Sequence, residues 1–240
     1  MVRVLVVGSA AREHAIVVAL SRSPREPQLL CFGSADNPGI KAKCAAYGVG
    51  KITDAEAVVA FAREHKAQLV VIGPEAPLET GVTDALHAIG LPVVGPTRAL
   101  AQIESSKAYA LELLAKHGMR GLPKFKAFTG LAGAREYLES LGEGNYVVKA
   151  DGLCGGKGVK VAGAHLASID EAVAYCEECL PAFVICEKLL GEEFSVLSFC
   201  DGESLAHMPP VQDHKRAHVG DTGPNTGGMG ADSCADGLLP

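Results

Sequence analysis

Two lysines frame a glycine-rich run in the middle of this chain. Lys149-Ala150-Asp151-Gly152-Leu153-Cys154-Gly155-Gly156-Lys157-Gly158 puts one lysine at the end of an apolar stretch and the other among glycines. Glycine lets backbone N–H groups approach an oxyanion with no Cβ in the way. Lysine adds a compact charge for the β- and γ-phosphates of a nucleotide. A Walker A loop is excluded, because it needs GxxxxGK, then Ser or Thr, then a helix. Here Gly158 and Val159 lead back into an apolar segment. The loop is therefore expected to join two antiparallel strands and fold over a nucleotide. A plain hairpin connection with two solvated lysines is the alternative.

Three other segments carry chemistry-bearing groups. Glu187-Lys188-Leu189-Leu190-Gly191-Glu192-Glu193 closes an apolar stretch. A carboxylate and open backbone there suit an adenine amino group, and a later carboxylate suits ribose hydroxyls. A charged turn is the commoner meaning of such a segment. Gln212-Asp213-His214-Lys215-Arg216 gathers acid, imidazole and two cations ahead of a glycine-rich run with Asn225 and Thr226. That run can wrap a polar ligand through main-chain groups, or be a disordered surface loop. At the start, Val7-Gly8-Ser9-Ala10-Ala11-Arg12-Glu13-His14 reads as strand, tight turn and helix N-terminus, an anion-friendly corner. It lacks the later glycines of a dinucleotide fingerprint. Gly73-Pro74-Glu75-Ala76-Pro77 ends another apolar strand. Ligands of open parallel sheets bind beyond the carboxyl ends of the strands, so both turns are candidates to face one site, the alternative being that either is a plain connection.

The elements that must hold these groups follow from hydrophobic patterning. Strands are expected over 2–7, 29–32, 69–72 and 92–94, and helices over 12–22, 54–65 and 81–89. Short strands that are apolar on both faces, alternating with helices, read as βαβ units of a doubly wound parallel sheet. Gly95-Pro96 closes this unit, and a linker helix is expected over about 105–117. Further on, strands are expected over 124–128, 146–150, 159–161, 183–188 and 194–200, with helices over 131–141 and 169–179 and a hairpin at Asp201-Gly202. The fold class is α/β: a doubly wound domain (1–103), a linker helix (104–122), then an incomplete α+β unit in two parts (123–190 and 191–240).

Composition limits the function classes. With 48% apolar residues among 240, a sizeable core can be buried. The formal net charge of −6, with no basic run or stripe, leaves nucleic acid without an electrostatic footprint. Apolar runs are strand-length, so no membrane span is expected. The chain opens on a strand with no signal-peptide layout, and a cytosolic setting with reduced thiols is expected for its eight cysteines. Cys176 and Cys179 fall in a helical stripe with no second CxxC at zinc spacing, so they read as small hydrophobes.

Taken together, the motifs resemble those of the glycinamide ribonucleotide synthetases, ATP-grasp ligases, over essentially the whole chain. The most specific pieces are Arg12-Glu13-His14-Ala15, Gly73-Pro74-Glu75-Ala76-Pro77-Leu78, Glu104-Ser105-Ser106-Lys107, Lys149-Ala150-Asp151-Gly152-Leu153, Gly156-Lys157-Gly158-Val159, Gln212-Asp213-His214-Lys215-Arg216 and Gly223-Pro224-Asn225-Thr226-Gly227-Gly228-Met229-Gly230-Ala231. The resemblance implies a pre-ATP-grasp substrate domain followed by the small lobe and the start of the large lobe of an ATP-grasp unit. It implies that phosphoribosylamine, glycine and ATP give glycinamide ribonucleotide, ADP and phosphate in purine synthesis. By that likeness Lys107, Lys149 and Lys157 contact the phosphates. Glu187 and the backbone near Leu189 read adenine, and Glu193 holds the ribose. Asp213, Lys215 and Asn225 are the catalytic candidates. Gly8, Glu75 and Thr226, again with Asp213 and Lys215, surround glycine and the sugar phosphate.

The implied partners are small molecules, with no nucleic acid or membrane, and fusion to other purine-pathway domains is compatible with the family. Mg2+ or Mn2+ is the implied metal. Its Glu and Asn ligands are expected beyond Pro240, none within this chain, so the chain alone is expected to turn over little. Three local departures stand out. Ala10-Ala11 replaces a usual pair of glycines, Cys154-Gly155 replaces an alanine pair, and the connection from Leu180 to Phe183 is shorter than usual. The competing expectations are another ATP-grasp carboxylate–amine ligase and a non-catalytic nucleotide-binding fragment.

Overall fold

The computed structural model describes residues 1–220 and 222–233; Asp221 and 234–240 lie outside the described residues. The chain divides into two compact units, Met1–Ala110 and Leu111–Pro240.

The first unit alternates strand and helix: β1 (Arg3–Val7), α1 (Ala11–Ser21), β2 (Gln28–Gly33), α2 (Pro38–Lys41), β3 (Ala46–Val49), α3 (Ala55–Glu64), β4 (Leu69–Ile72), α4 (Glu75–Glu79), α5 (Val82–Ala88), β5 (Val93–Val94) and α6 (Arg98–Ser105). All pairings are parallel, in the order β3-β2-β1-β4-β5. The chain winds outward from β1 to β3, returns, and winds the other way from β4 to β5. The reversal lies between β1 and β4. Two apolar layers cover the sheet: Leu5, Val7, Leu30, Val70 and Ile72 face Val58, Val82 and Leu86, while Val4, Val6, Leu29 and Cys31 face Val17 and Ile40. This is why the strands read as apolar on both faces.

Sequence patterning finds the long elements here and passes over β3, α2, α4 and α6. β3 carries Gly48, whose missing side chain leaves room for Phe61 and Phe32, and strand interiors disfavour glycine. α2 has a single turn, started by Asn37, whose Oδ1 accepts the Ile40 amide at 3.1 Å. The expected linker helix over 105–117 is α7 (Lys107–Lys116), and α6 ends directly before it. Ser106 leaves helical geometry at φ −133° and its Oγ accepts the Tyr109 amide at 3.1 Å, ending one helix and capping the next.

The second unit holds β6 (Phe125–Phe128), α8 (Ala134–Leu141), β7 (Tyr146–Ala150), β8 (Val159–Val161), α9 (Ile169–Glu178) and β9 (Phe183–Glu187). Its four-stranded antiparallel sheet runs β6-β9-β7-β8. Tyr146, Val148, Phe183 and Ile185 point to one face and pack with Leu138, Ala172, Tyr175 and Cys176 of α8 and α9. Cys176 and Cys179 sit in this core, and burial pushes the Cys176 thiol up to about 12. A thiol so far from ionising behaves as an apolar group.

Beyond β9 the chain forms only short pairs: β10 (Ser198–Cys200) with β11 (Leu205–His207), β12 (Gln212–Asp213) with β15 (Ala231–Asp232), and β13 (Arg216–His218) with β14 (Thr222–Asn225). The expected strand over 194–200 shrinks to its last three residues, and all six residues of the β10–β11 hairpin are exposed. The turn itself is at the expected place: Asp201 Oδ1 accepts the amides of Glu203 and Ser204 at 3.0 and 2.7 Å. Those bonds hold the Asp201 carboxyl below its usual range.

Candidate functional site

In the first unit, Gly8 and Gly73 end β1 and β4 on either side of the sheet reversal. The side chain of Glu13, only 2% exposed, fills the space between them. A Cβ built at Gly8 would stand 2.6 Å from Glu13 Cγ, and one at Gly73 would stand 2.2 Å from Glu13 Oε1. Glycine is required at both turns for that reason, and Gly8 also takes φ +120°. Glu13 Oε2 accepts the Ala10 amide at 2.7 Å, closing the first turn of α1 from inside.

Around this brace, Arg12 Nη1 donates to the Gly73 carbonyl at 2.8 Å and reaches Glu75 Oε2 at 3.4 Å. Asn37 Nδ2 donates to the Ser9 carbonyl at 2.9 Å. Gly8 and Glu75 thus lie close together where the ends of β1 and β4 meet the N-terminus of α1. Backbone amides at a helix start beside an arginine suit an anion. Ala10 (φ −87°, ψ −171°) and Ala11 have ordinary backbone geometry and exposed methyl groups. Sequence reasoning quotes Glu13 in a motif but gives it no role; its position three residues after the turn, opening a helix, is the signal that marks it.

In the second unit, the glycine run joins β7 to β8, which are antiparallel. Gly152, Gly155 and Gly156 take φ of +101°, +56° and +79°, which L side chains rarely adopt. Ala150 donates to the Gly158 carbonyl at 2.8 Å and Asp151 to the Ala182 carbonyl at 3.0 Å. The short connection after α9 therefore tethers the start of the loop. Alternation along β7 sends Tyr146, Val148 and Ala150 into the helix-covered core. Val147 and Lys149 point to the opposite face. Lys149 is half-buried and Lys157 is exposed on the loop. Lys107 begins α7.

Glu187 ends β9 and its Oε1 accepts the Lys124 amide at 2.8 Å. Its cross-strand partner is Tyr146, which puts its side chain on the face away from Lys149. Leu189 follows with its side chain exposed.

Three further candidates meet. Glu193 pairs with Lys215 Nζ, and Asp213 Oδ2 lies 4.0 Å from the same nitrogen. Asn225 faces Arg216 across β13–β14. Thr226 is engaged locally, its amide and hydroxyl both donating to the Lys215 carbonyl at 2.7 and 2.9 Å. Arg216 Nη1 donates to the Gly223 carbonyl at 2.7 Å and lies 3.3 Å from His165 Nε2. His165 Nδ1 accepts the Val161 amide at 3.1 Å, and burial, then Arg216 and Lys160, lower its pKa below 6.5. The ring is therefore neutral at physiological pH; with Nδ1 accepting it carries its proton on Nε2, so Arg216 of β13 packs beside it without donating to it.

Among the described residues, no three His, Cys, Asp or Glu side chains gather as a metal ion needs. The donor set present does not fit the divalent cation that the resemblance implies. No helix among the described residues is long and apolar enough to cross a membrane.

Comparison with known proteins adds to this geometry. The family model for the phosphoribosylglycinamide synthetase N domain matches residues 2–104, and that for the ATP-grasp (A) domain of the same synthetase matches 105–239. The chain is 44% identical over 240 residues to the phosphoribosylamine–glycine ligase of Methanosarcina barkeri and 47% identical over 239 residues to that of Methanococcoides burtonii. Each match covers 99% of this chain and 55% of the relative, so the chain spans about half the length of these curated relatives. Among solved structures, the phosphoribosylamine–glycine ligase of Thermotoga maritima superposes with a TM-score of 0.75 at 30% identity, covering 96% of this chain and 55% of that one. An ADP complex of an N5-carboxyaminoimidazole ribonucleotide synthetase, at TM-score 0.70 and 15% identity, shares the fold.

Proposed function

The chain belongs to the phosphoribosylglycinamide synthetase family, and from that premise we propose that it serves the ATP-dependent ligation of glycine to phosphoribosylamine. The carboxylate of glycine is a poor electrophile. Transfer of the γ-phosphoryl group of ATP to a glycine carboxylate oxygen gives glycyl phosphate and ADP. The sugar amine then attacks the acyl carbon and expels phosphate, leaving the amide of glycinamide ribonucleotide. Such chemistry consists mostly of positioning and charge stabilisation.

The observation that carries this reading is the glycine loop between β7 and β8, with Lys149 on the sheet face opposite the α8–α9 core. Lys149 and Lys157, with Lys107, are assigned to the ATP phosphates. Glu187 and the backbone near Leu189 are assigned to adenine, and Glu193 to the ribose. Because the Glu187 carboxylate already accepts the Lys124 amide and the Lys188 amide donates to the Asn145 carbonyl, the Glu187 carbonyl and the Leu189 amide are the groups assigned to adenine. In the first unit, Gly8, Glu75 and the start of α1 form the sugar-phosphate corner. Asp213, Lys215, Asn225 and Thr226 are assigned to glycine and the reacting groups. Lys215, held between Glu193 and Asp213, is ready to exchange a carboxylate partner for that of glycine. A divalent cation, Mg2+ or Mn2+, would accompany ATP, although no cluster among the described residues fits one.

The test is coupled ADP release with ATP, magnesium, glycine and freshly generated phosphoribosylamine, leaving out each component in turn. The proposal predicts that any ADP release needs both glycine and the sugar amine. Equal release with another carboxylate or amine would point to a different ATP-grasp ligase. ATP binding without release would make the chain a nucleotide-binding part of the enzyme.

A further inference from the structure

The glycine loop has an inner side, and one residue occupies it. Gly158 is buried and stands opposite Ala150, whose methyl group packs on the core beneath the sheet. Residues opposite one another in an antiparallel pair point to the same face. The empty Cβ direction of Gly158 therefore also points toward the core. A Cβ built there would stand 2.6 Å from both Cβ and Sγ of Cys154, and 3.4 Å from the Ala150 Cβ. The first two distances are far inside van der Waals contact, so the Cys154 side chain lies directly against the bare Cα of Gly158. Its thiol also reaches the Gly152 carbonyl at 3.6 Å.

We propose that Cys154 is a positioning residue for the glycine loop, its side chain seated on Gly158 so that the loop is pinned to the core-facing side while its other side stays open to phosphates. The backbone runs from Gly152 to Gly158 with three glycines at positive φ. Such a stretch has many conformations open to it, and each must be lost on binding. Cys154 is the side chain within this stretch that folds back on the loop's own backbone at both ends, touching Gly152 and Gly158. A loop pinned in this way has less ordering entropy left to lose when it closes on a ligand. The functional meaning of the pin rests on the nucleotide reading above; the pin itself does not.

Two independent readings test it on the full chain. The first is the rate of tryptic cleavage after Lys157, by mass spectrometry, without ligand, relative to the rate in the urea-unfolded chain. Gly158→Ala adds a methyl group into the contact, and Cys154→Gly removes the side chain. Each is expected to raise cleavage by about tenfold or more, as local order is lost. The double variant restores one Cβ to the gap, so its cleavage should be at least about threefold slower than the product of the single effects. Unchanged cleavage in Gly158→Ala, or strict additivity in the double variant, overturns the proposal.

The second reading compares ATP with AMP affinity. Gly158→Ala should lower ATP affinity by about tenfold and leave AMP affinity within about twofold, because only the β- and γ-phosphates reach the loop. Equal losses for both nucleotides, or a fall in thermal midpoint that accounts for the cleavage, would make the contact merely structural. Cys154→Ser, which keeps the shape, should keep the ATP preference. If the unmodified chain shows no preference for ATP over AMP, the nucleotide reading fails, and the cleavage rates still decide whether the pin exists.

Discussion

Glu13 shows how a single buried side chain can brace two turns at once. Its carboxylate is buried between two glycine turns and closes the start of α1. Glu13→Ala leaves the Ala10 amide without its partner and opens a gap under both turns. A charge-assisted bond of this kind is worth about 1.5–3 kcal/mol, so urea unfolding of the first unit should show a loss of about 2 kcal/mol. Gly73→Ala should cost a similar amount, since its methyl group would collide with the same carboxylate. No change in either variant would mean that the turns stand without the brace. By contrast, the exposed pair between Lys215 and Glu193 adds little stability. Glu193→Gln should leave the unfolding midpoint in place and alter only ligand affinity. At this scale the sequence is legible where residue type forces geometry, as at the glycines. It is silent on partners far apart in the chain: nothing in Glu187 itself announces Lys124 as its hydrogen-bond partner.

At the scale of elements, the sheet of the first unit follows from apolar runs of strand length, and the β7–β8 loop follows from glycines between such runs. The elements that patterning misses are those stabilised by context. α2 is one turn on an Asn37 cap, β3 contains a glycine that two phenylalanines overlie, and Ser106 splits one helical stretch into two. The close approach of His165, after β8, to Arg216 of the β13–β14 hairpin is of the same kind. It also makes a pH prediction. The folded-state pKa of His165 lies below 6.5, so below that pH the unfolded chain binds more protons there than the folded one. Stability of the second unit should therefore fall as pH drops below about 6.5, and the loss is complete once pH passes below the folded value. His165→Gln should flatten that part of the stability–pH profile, measured by denaturant unfolding at several pH values. An identical slope in the variant would show that other groups carry it.

At the scale of the whole molecule, each unit has its own core and its own candidate site. Leu138, fully buried beneath the antiparallel sheet, should cost about 2–5 kcal/mol when changed to alanine, read in hydrogen exchange of the β7 and β9 amides. The region after β9 is different. Phe194, Leu197, Phe199 and Leu205 are exposed by half or more, and isolated two-stranded pairs are marginal on their own. Sequence reading expected a longer strand there because alternating apolar residues resemble a buried strand whether or not anything covers them. The family models, together matching 2–239, agree with the motif-level likeness that runs from Arg12 to Ala231.

The most direct test of the central claim, that the β7–β8 loop grips the phosphates of ATP, is calorimetric ATP binding to the chain and to its Lys149→Ala and Lys157→Ala variants. The account predicts binding to the unmodified chain, weakened by about tenfold or more in each variant, as expected for loss of a charge-assisted phosphate contact. Absence of ATP binding, or affinity unchanged in both variants, would contradict it.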